Sequence, residues 1–254
     1  MMCISLKFHM KNSIYWGPPS IHYPARGQAP EIYASLVKSE ETQTYEMGSK
    51  MVLLDNSMNL NLALFYTTID DFQETSFLVT DASAGFITQN VDVESKGFEI
   101  DSMYQLTSDL RLSGAVTYAN TTHKDDGTDL AQAPKLTGNI GYFYNTEFSD
   151  YGVNFSSTGF VRYRSDMVSQ INETYPSDSL TTLDFTFGIS SPEDTWKAMI
   201  IVNNLTDAQS SEFSSPPAGP IGAVLGAPTG DQGITAETLN SGRTIKLQVS
   251  YNFY

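Results

Sequence analysis

The 254-residue chain carries 14 Lys and Arg against 29 Asp and Glu, a formal net charge of -15, with one Cys and 18 Gly. Cys3 has no second cysteine to pair with, so a disulfide scaffold is excluded, and the acidic balance without a Lys/Arg cluster argues against nucleic acid as a partner. Apolar runs such as Ala198-Met199-Ile200-Ile201-Val202 stop far short of the roughly 18 residues of a membrane-spanning helix, which excludes a helical membrane protein.

What remains is a chain with 14 Tyr, 14 Phe and 2 Trp and only 17% charged residues, a profile of β-structure. In chain order, Met1 to about Lys38 is set apart from the strand-and-turn pattern of the rest. It has no charged stretch followed by an apolar one and no lipoprotein signal, so it is not a secretory leader. Residues 1–38 are read as an irregular N-terminal segment, an aberrant start followed by an extracellular loop. From residue 39 onward period two takes over. Thr44–Leu54 is the first expected strand. In the next, Met58, Leu60, Leu62, Leu64 and Tyr66 are apolar and Asn59 and Asn61 lie between them, which places the two sets on opposite faces. Gly97–Leu106 follows, then Leu110, Leu112, Val116 and Tyr118 alternating with Asp109, Arg111, Ser113 and Thr117. Leu136, Ile140, Tyr142 and Tyr144 mark the next strand, and Tyr151, Val153, Phe155, Val161 and Tyr163 the one after it. Leu180–Ser190, Thr195–Asn203 and Arg243–Phe253 complete nine expected strands, with no helix among them.

The connections alternate as well. Turn formers occupy Asp55-Asn56-Ser57, Thr107-Ser108-Asp109, Ser149-Asp150 and Ser191-Pro192-Glu193-Asp194. Long polar loops are expected at about Thr75–Ala84, Thr121–Ala133, Met167–Ser179 and Asn204–Gly242, the last rich in Gly, Pro and Ser. Strict short-long alternation puts all tight turns at one end of an antiparallel up-and-down sheet and all long loops at the other, the asymmetry of outer-membrane barrels. Aromatic residues gather at both ends of the apolar face. Tyr104, Phe148, Tyr151, Trp196, Tyr251 and Phe253 lie toward the short turns, and Tyr66, Tyr118 and Tyr163 toward the long loops, positions suited to two interfacial girdles. The other face is polar along whole strands: Glu99, Asp101, Gln105, Arg111, Lys135, Asn154, Arg162, Arg164, Asp184, Lys197, Lys246 and Gln248. Periodicity leaves two architectures open, a transmembrane barrel and a soluble sandwich with one wet face.

Six stretches in order carry a family resemblance. They are Arg26-Gly27-Gln28-Ala29-Pro30-Glu31-Ile32-Tyr33; Thr44-Tyr45-Glu46-Met47-Gly48-Ser49-Lys50; Ala63-Leu64-Phe65-Tyr66 through Ile69-Asp70-Asp71-Phe72-Gln73; Asn90-Val91 leading to Ser95-Lys96-Gly97-Phe98-Glu99; Val202-Asn203-Asn204-Leu205-Thr206-Asp207; and Gly242-Arg243 followed by alternation to Phe253. Together they resemble the C-terminal half of the barrel of TonB-dependent outer-membrane receptors. The resemblance implies an all-β, antiparallel up-and-down transmembrane β-barrel, here about nine C-terminal strands (residues 39–254) of a 22-stranded barrel with a plugged lumen. It implies a place in the outer membrane of a Gram-negative bacterium, and uptake of a scarce ligand such as a ferric siderophore, vitamin or oligosaccharide. The implied partners are outer-membrane lipid, the barrel-insertion machinery, a small-molecule ligand such as a ferric chelate, and the TonB complex through an N-terminal part that this chain lacks. The expectation is therefore a fragment of a longer receptor. In the family the terminal aromatic strand is the assembly signal, which maps onto Tyr251 and Phe253, with Tyr254 one residue beyond the usual end. The alternative function is a soluble all-β module binding carbohydrate or another ligand.

Residue chemistry gives no enzyme. His9, His22 and His123 are isolated, with His123 read as a solvated loop residue, and no nucleophile elbow accompanies any Ser. No catalytic, cofactor-binding or metal site is expected. Asp125-Asp126-Gly127-Thr128-Asp129 has acidic oxygens but lacks the spacing and distal Glu of a calcium loop, so it reads as an acidic turn. Three glycosylation patterns, at Asn120, Asn172 and Asn204, are uninformative in a bacterial outer-membrane setting. Arg162 and Arg164, near a loop end of the polar face, are the candidate ligand-binding residues, placed to steer an anionic ligand. The long Asn204–Gly242 loop is the expected extracellular contact or lid.

Overall fold

Alternating β-branched, aromatic and short polar residues favour pleated strands, and in the computed structural model of the protein they form little else. The structure describes residues 3–13, 20–22, 31–33, 37–79, 84–169, 176–215 and 236–253. In chain order the elements are β1 (Cys3–Ser13), β2 (Ser20–His22), β3 (Glu31–Tyr33), β4 (Glu40–Leu53), β5 (Met58–Val79), β6 (Ala84–Gln105), β7 (Leu110–His123) and β8 (Leu136–Phe148). There follow β9 (Val153–Arg164), β10 (Met167–Val168), β11 (Pro176–Ser177), β12 (Leu180–Ser190), β13 (Trp196–Asn203), β14 (Ser211–Ser215), β15 (Ala236–Leu239) and β16 (Thr244–Tyr251). Ten of these make one antiparallel sheet in the order β1-β4-β5-β6-β7-β8-β9-β12-β13-β16, open at β1 and β16. The three remaining pairs, β2-β3, β10-β11 and β14-β15, lie within the connections at the long-loop end.

All nine expected strands are present. Cys3–Ser13 is an addition, because it pairs with β4 along its whole length, with Leu6 opposite Met47 and Phe8 opposite Tyr45. The segment carries the same period of two as the other strands, with Ile4, Leu6, Phe8 and Met10 alternating with Ser5, Lys7, His9 and Lys11, so the irregular reading of the first residues is corrected here. The Thr75–Ala84 loop is also corrected: β5 and β6 each run 22 residues and continue pairing to Val79 and Ala84. Of the Thr121–Ala133 loop, the first three residues belong to β7. The Asn204–Gly242 loop contains the β14-β15 pair, and its Pro-rich middle lies outside the described residues.

The turns form as their residues dictate. Leu54, Asp55 and Asn56 take positive φ of 53°, 52° and 71° between β4 and β5, a conformation that Asn and Asp tolerate best among non-glycine residues. A single 3-10 turn at Ser149–Tyr151 closes on Gly152, whose φ is 61°. Gly97 meets a different demand. A Cβ there would collide with the Tyr118 carbonyl oxygen and lie 2.8 Å from Phe65 Cζ, so the position needs the close backbone approach that only Gly permits.

Register assigns every strand residue to a face. Tyr45, Leu64, Ile100, Val116, Val161, Phe185, Val202 and Ile245 share one face with Ile140, Leu247 and Tyr251. The polar set named above occupies the other. The apolar face is not covered. Ile140 is 71% exposed and Leu247 73%, and among the described residues Val93 alone is a buried hydrophobic. A soluble sandwich would bury one face of each strand in a core, whereas an outward apolar band belongs in hydrocarbon. On β5 that band runs from Met58 to Tyr66, nine residues, within the roughly 9–11 that a tilted membrane strand needs.

Candidate functional site

The inner, polar face carries a stripe of charged and aromatic groups across neighbouring strands. The Arg111 guanidinium on β7 stacks over Phe143 of β8, with Cζ 4.7 Å from the ring centroid. Phe143 meets Phe160 of β9 edge-on at 5.3 Å, and Arg162 lies over Phe160 at 5.1 Å. Arg162 Nη1 donates to Asp184 Oδ2 on β12, and Asp184 Oδ1 accepts the Asn204 backbone N–H at 2.8 Å. Cation–π stacking and ion pairing leave the Arg162 side chain 53% exposed, so it presents charge to the lumen while its orientation is set.

Arg164, two residues on, is tied down differently. Its Nη1 donates to the Ser165 carbonyl at 3.1 Å, and its Nη2 donates to both Ser177 Oγ and Ser210 Oγ at 3.1 Å. Ser177 and Ser210 are buried. Their hydroxyls lie 3.2 Å apart; Ser177 donates to the Ser211 carbonyl and Ser210 to that of Asp178. The structure therefore gives the two candidate arginines unlike surroundings, one open to the lumen and one inside a rim of serines. The serines come from loops 13 and 46 residues away, a separation no sequence pattern announces.

A second rim cluster centres on His123. Rather than standing isolated in solvent, His123 packs against β5 with its side chain 13% exposed, and Nε2 is 3.1 Å from both carboxylate oxygens of Glu74, itself buried. Nδ1 reaches Thr128 Oγ1 at 3.0 Å. The cause is a β-bulge. Pairing slips between Ile69 and Phe72, and Asp71 takes φ 57°, so Phe72 and Glu74 fall on the face that odd-numbered residues held before it. Simple parity assigns Glu74 to the opposite face, which is why sequence reasoning misses the pair. The bulge is clamped: Asn90 Nδ2 donates to the Asp71 carbonyl at 2.6 Å, Asp92 accepts the Asp71 N–H at 3.0 Å, and Lys124 reaches Asp70 at 2.6 Å. The Asp70 hydrogen bond also raises the Lys124 pKa.

The acidic 125–129 loop folds on itself. Asp126 Oδ1 accepts both the Thr128 hydroxyl at 2.6 Å and the Thr128 N–H at 2.9 Å, which lowers the Asp126 pKa below the usual carboxylate range. Asp129 pairs with Lys135 at 2.8 Å. Among the described residues no group of three His, Cys, Asp or Glu side chains is placed to share a metal ion.

A family model described as TonB-dependent receptor-like β-barrel matches residues 13–205, well over half of the chain. The chain belongs to the TonB-dependent receptor family. The metal-pseudopaline receptor CntO of Pseudomonas aeruginosa is 29% identical over 153 residues, covering 57% of this chain and 21% of the receptor. In fold, the chain matches the ferric yersiniabactin uptake receptor FyuA of Yersinia pestis with a TM-score of 0.68 at 15% identity, covering all of this chain and 34% of FyuA. It matches the copper transporter OprC with a TM-score of 0.65 at 18% identity, covering 91% of this chain and 35% of OprC. The chain thus spans about a fifth of the curated relative and a third of these structures. Members of the family are outer-membrane proteins of Gram-negative bacteria, and the uncovered apolar band places this TonB-dependent receptor chain there.

Its motifs have identifiable structural work. The Asp70-Asp71-Phe72-Gln73 stretch makes the bulge, with Gln73 Nε2 donating to the Lys38 carbonyl at 3.0 Å. In the Val202–Asp207 stretch, buried Asn204 has φ 50°, accepts the Ala208 N–H at 3.0 Å and donates to the Ala208 and Ser241 carbonyls. Asp207 accepts the Arg243 N–H at 2.7 Å, which seats the start of the last strand. At the other end of that strand Tyr251 and Phe253 share the outward phase, with ring centroids 4.9 Å apart and Phe253 91% exposed.

Proposed function

We propose that this chain forms the C-terminal wall, rim and assembly strand of an outer-membrane receptor that imports a scarce ligand, a ferric siderophore or related metal chelate in preference to a vitamin or oligosaccharide. The observation that carries the reading is the uncovered apolar face, Ile140 and Leu247 among its residues, backed by a continuous polar inner face. The metal-chelate class is supported by the names of the receptors it resembles and by cationic groups on the inner face. Arg162 and Arg164 form the basic edge of the lumen below the loops, where Arg162 keeps part of its guanidinium accessible to an anionic ligand. Ligand captured outside would pass the wall when energy delivered through the partner TonB complex rearranges a plug in the whole receptor. Tyr251 and Phe253 supply the exposed aromatic end that the barrel-insertion machinery reads. The functional class is transport, with no enzymatic step.

The test is uptake of a radiolabelled ferric chelate by the source bacterium under iron limitation, with Arg162→Gln introduced in the native gene. Loss of one charge-assisted hydrogen bond is worth about 1.5–3 kcal/mol, so half-saturation should rise about tenfold or more at unchanged receptor level. Unaltered uptake removes Arg162 from the ligand path. Recovery of the native protein from cells in buffer without detergent would instead establish the soluble module.

A further inference from the structure

The rim at β9 holds a polar node that joins separate loops. Arg164 ends β9, and its Nη2 spans two buried hydroxyls, Ser177 from the β9–β12 connection and Ser210 from the β13–β16 connection. Each serine then bonds the other's loop: Ser177 Oγ donates to the Ser211 carbonyl, and Ser210 Oγ donates to the Asp178 carbonyl at 2.6 Å. Ser165, beside Arg164, accepts from the Leu136 N–H at 3.3 Å and donates its own N–H to the Leu136 carbonyl at 2.8 Å, which ties in the start of β8. The β7–β8 connection is joined through the Gln132 N–H, which donates to the Val168 carbonyl at 2.8 Å. Asn240, from the far side of the last connection, accepts the Ser210 N–H at 2.7 Å.

The strand pairs within two of these connections are short. The β10-β11 pair has two residues per strand and the β14-β15 pair four or five, and isolated two-stranded pairs are marginal in water. A buried polar network is stable when all its members are satisfied and costly when one is withdrawn, so it behaves as a unit. One planar guanidinium aimed at two hydroxyls is a geometry that the single ammonium of Lys reproduces poorly.

We propose that Arg164 is a strap that couples the β9–β12 and β13–β16 connections through Ser177 and Ser210, so that the segments around these two serines open locally together rather than one by one. Arg164 then acts by positioning the loops, apart from any contact with ligand, and the proposal holds whether or not the transported ligand is a metal chelate.

The test is hydrogen exchange, read by mass spectrometry, on the native protein in outer-membrane vesicles, comparing wild type with Arg164→Gln, Arg164→Lys and Ser210→Ala. Coupling predicts that Arg164→Gln speeds exchange about tenfold or more in both 176–179 and 204–215 together. Ser210→Ala, which leaves Arg164 in place, should loosen the same two segments to a smaller degree, and Arg164→Lys should not restore them. Exchange within β7, β8 and β9 below the rim should stay at wild-type rates. Loosening confined to one connection, or wild-type rates in both, overturns the strap. If Arg164→Gln fails to give heat-modifiable protein, Ser210→Ala decides the question by the same two-segment criterion.

Discussion

The two ends of β5 and β6 obey different rules. Between Met58 and Tyr66, and between Phe98 and Tyr104, alternate residues point to lipid or lumen and the outward ones stay uncovered: Leu64 and Ile100 are exposed, as are Tyr66 and Phe98. Above that band the same strands slip at the Asp70-Asp71 bulge and enclose Val93, the one described hydrophobic that is fully buried, beside the Glu74–His123 pair. The contrast follows from the solvent. In hydrocarbon an apolar side chain gains little by leaving its surroundings, so the wall needs no core of its own. Above the headgroups water returns, and the rim must exclude it with a small packed cluster, clamps and satisfied polar groups.

The largest effect that could break this contrast is expected in the band. Ile140 sits opposite Gly114 and Val161, midway along the outward face of its neighbours. Ile140→Arg should cost about 2–4 kcal/mol, the range for a basic residue at the midplane of a membrane barrel, read as loss of heat-modifiable protein after refolding into lipid vesicles. Arg on the lumen face of the neighbouring strand, Thr117→Arg opposite Glu99, should be tolerated. Equal tolerance of both would mean that the exposed apolar face does not meet lipid.

A smaller effect, confined to the rim, is expected from Glu74→Ala. It leaves the His123 Nε2 without its acceptor in a largely buried site and should cost about 1–3 kcal/mol. Faster amide exchange around Val93 and His123, with the Met58–Tyr66 band unchanged, is the expected result. Loosening that spreads down the strands would show that rim and wall are one cooperative unit.

The smallest effect lies in the acidic loop. Asp126 titrates lower folded than unfolded because Thr128 bonds its carboxylate twice. Its contribution is therefore present above the unfolded value of about 3.9 and is lost as pH falls through the lower folded value. Protection of the Thr128 amide should hold at neutral and mildly acidic pH and fade only in stronger acid; fading near pH 6 would contradict the assignment.

The comparison also marks how much was legible in advance. Parity alone places Arg111, Arg162, Asp184 and Lys246 on one face and Leu64, Ile140 and Leu247 on the other, because a pleated strand allows a side chain only two directions. The turns at Asp55-Asn56-Ser57 and Ser191–Asp194 were equally readable, since their residues tolerate the required backbone. Glu74 was not, because one bulge reverses parity for everything after it. Cys3–Ser13 was legible by the same rule, since Ile4, Leu6, Phe8 and Met10 alternate with Ser5, Lys7, His9 and Lys11; what parity does not give is its partner, β4, across the 26 residues between Ser13 and Glu40.

The same division runs through the functional residues. Period, turn chemistry and ordered motifs determine by themselves an antiparallel wall with one face for lipid, a wet face for the lumen, and an aromatic end at Tyr251 and Phe253. Only the tertiary structure decides that Arg162 opens toward the lumen while Arg164, two residues away on the same face, is held by Ser177 and Ser210. Local sequence sets the direction of a side chain, but its partners come from loops closed over tens of residues, and those distances exist only once the sheet is built.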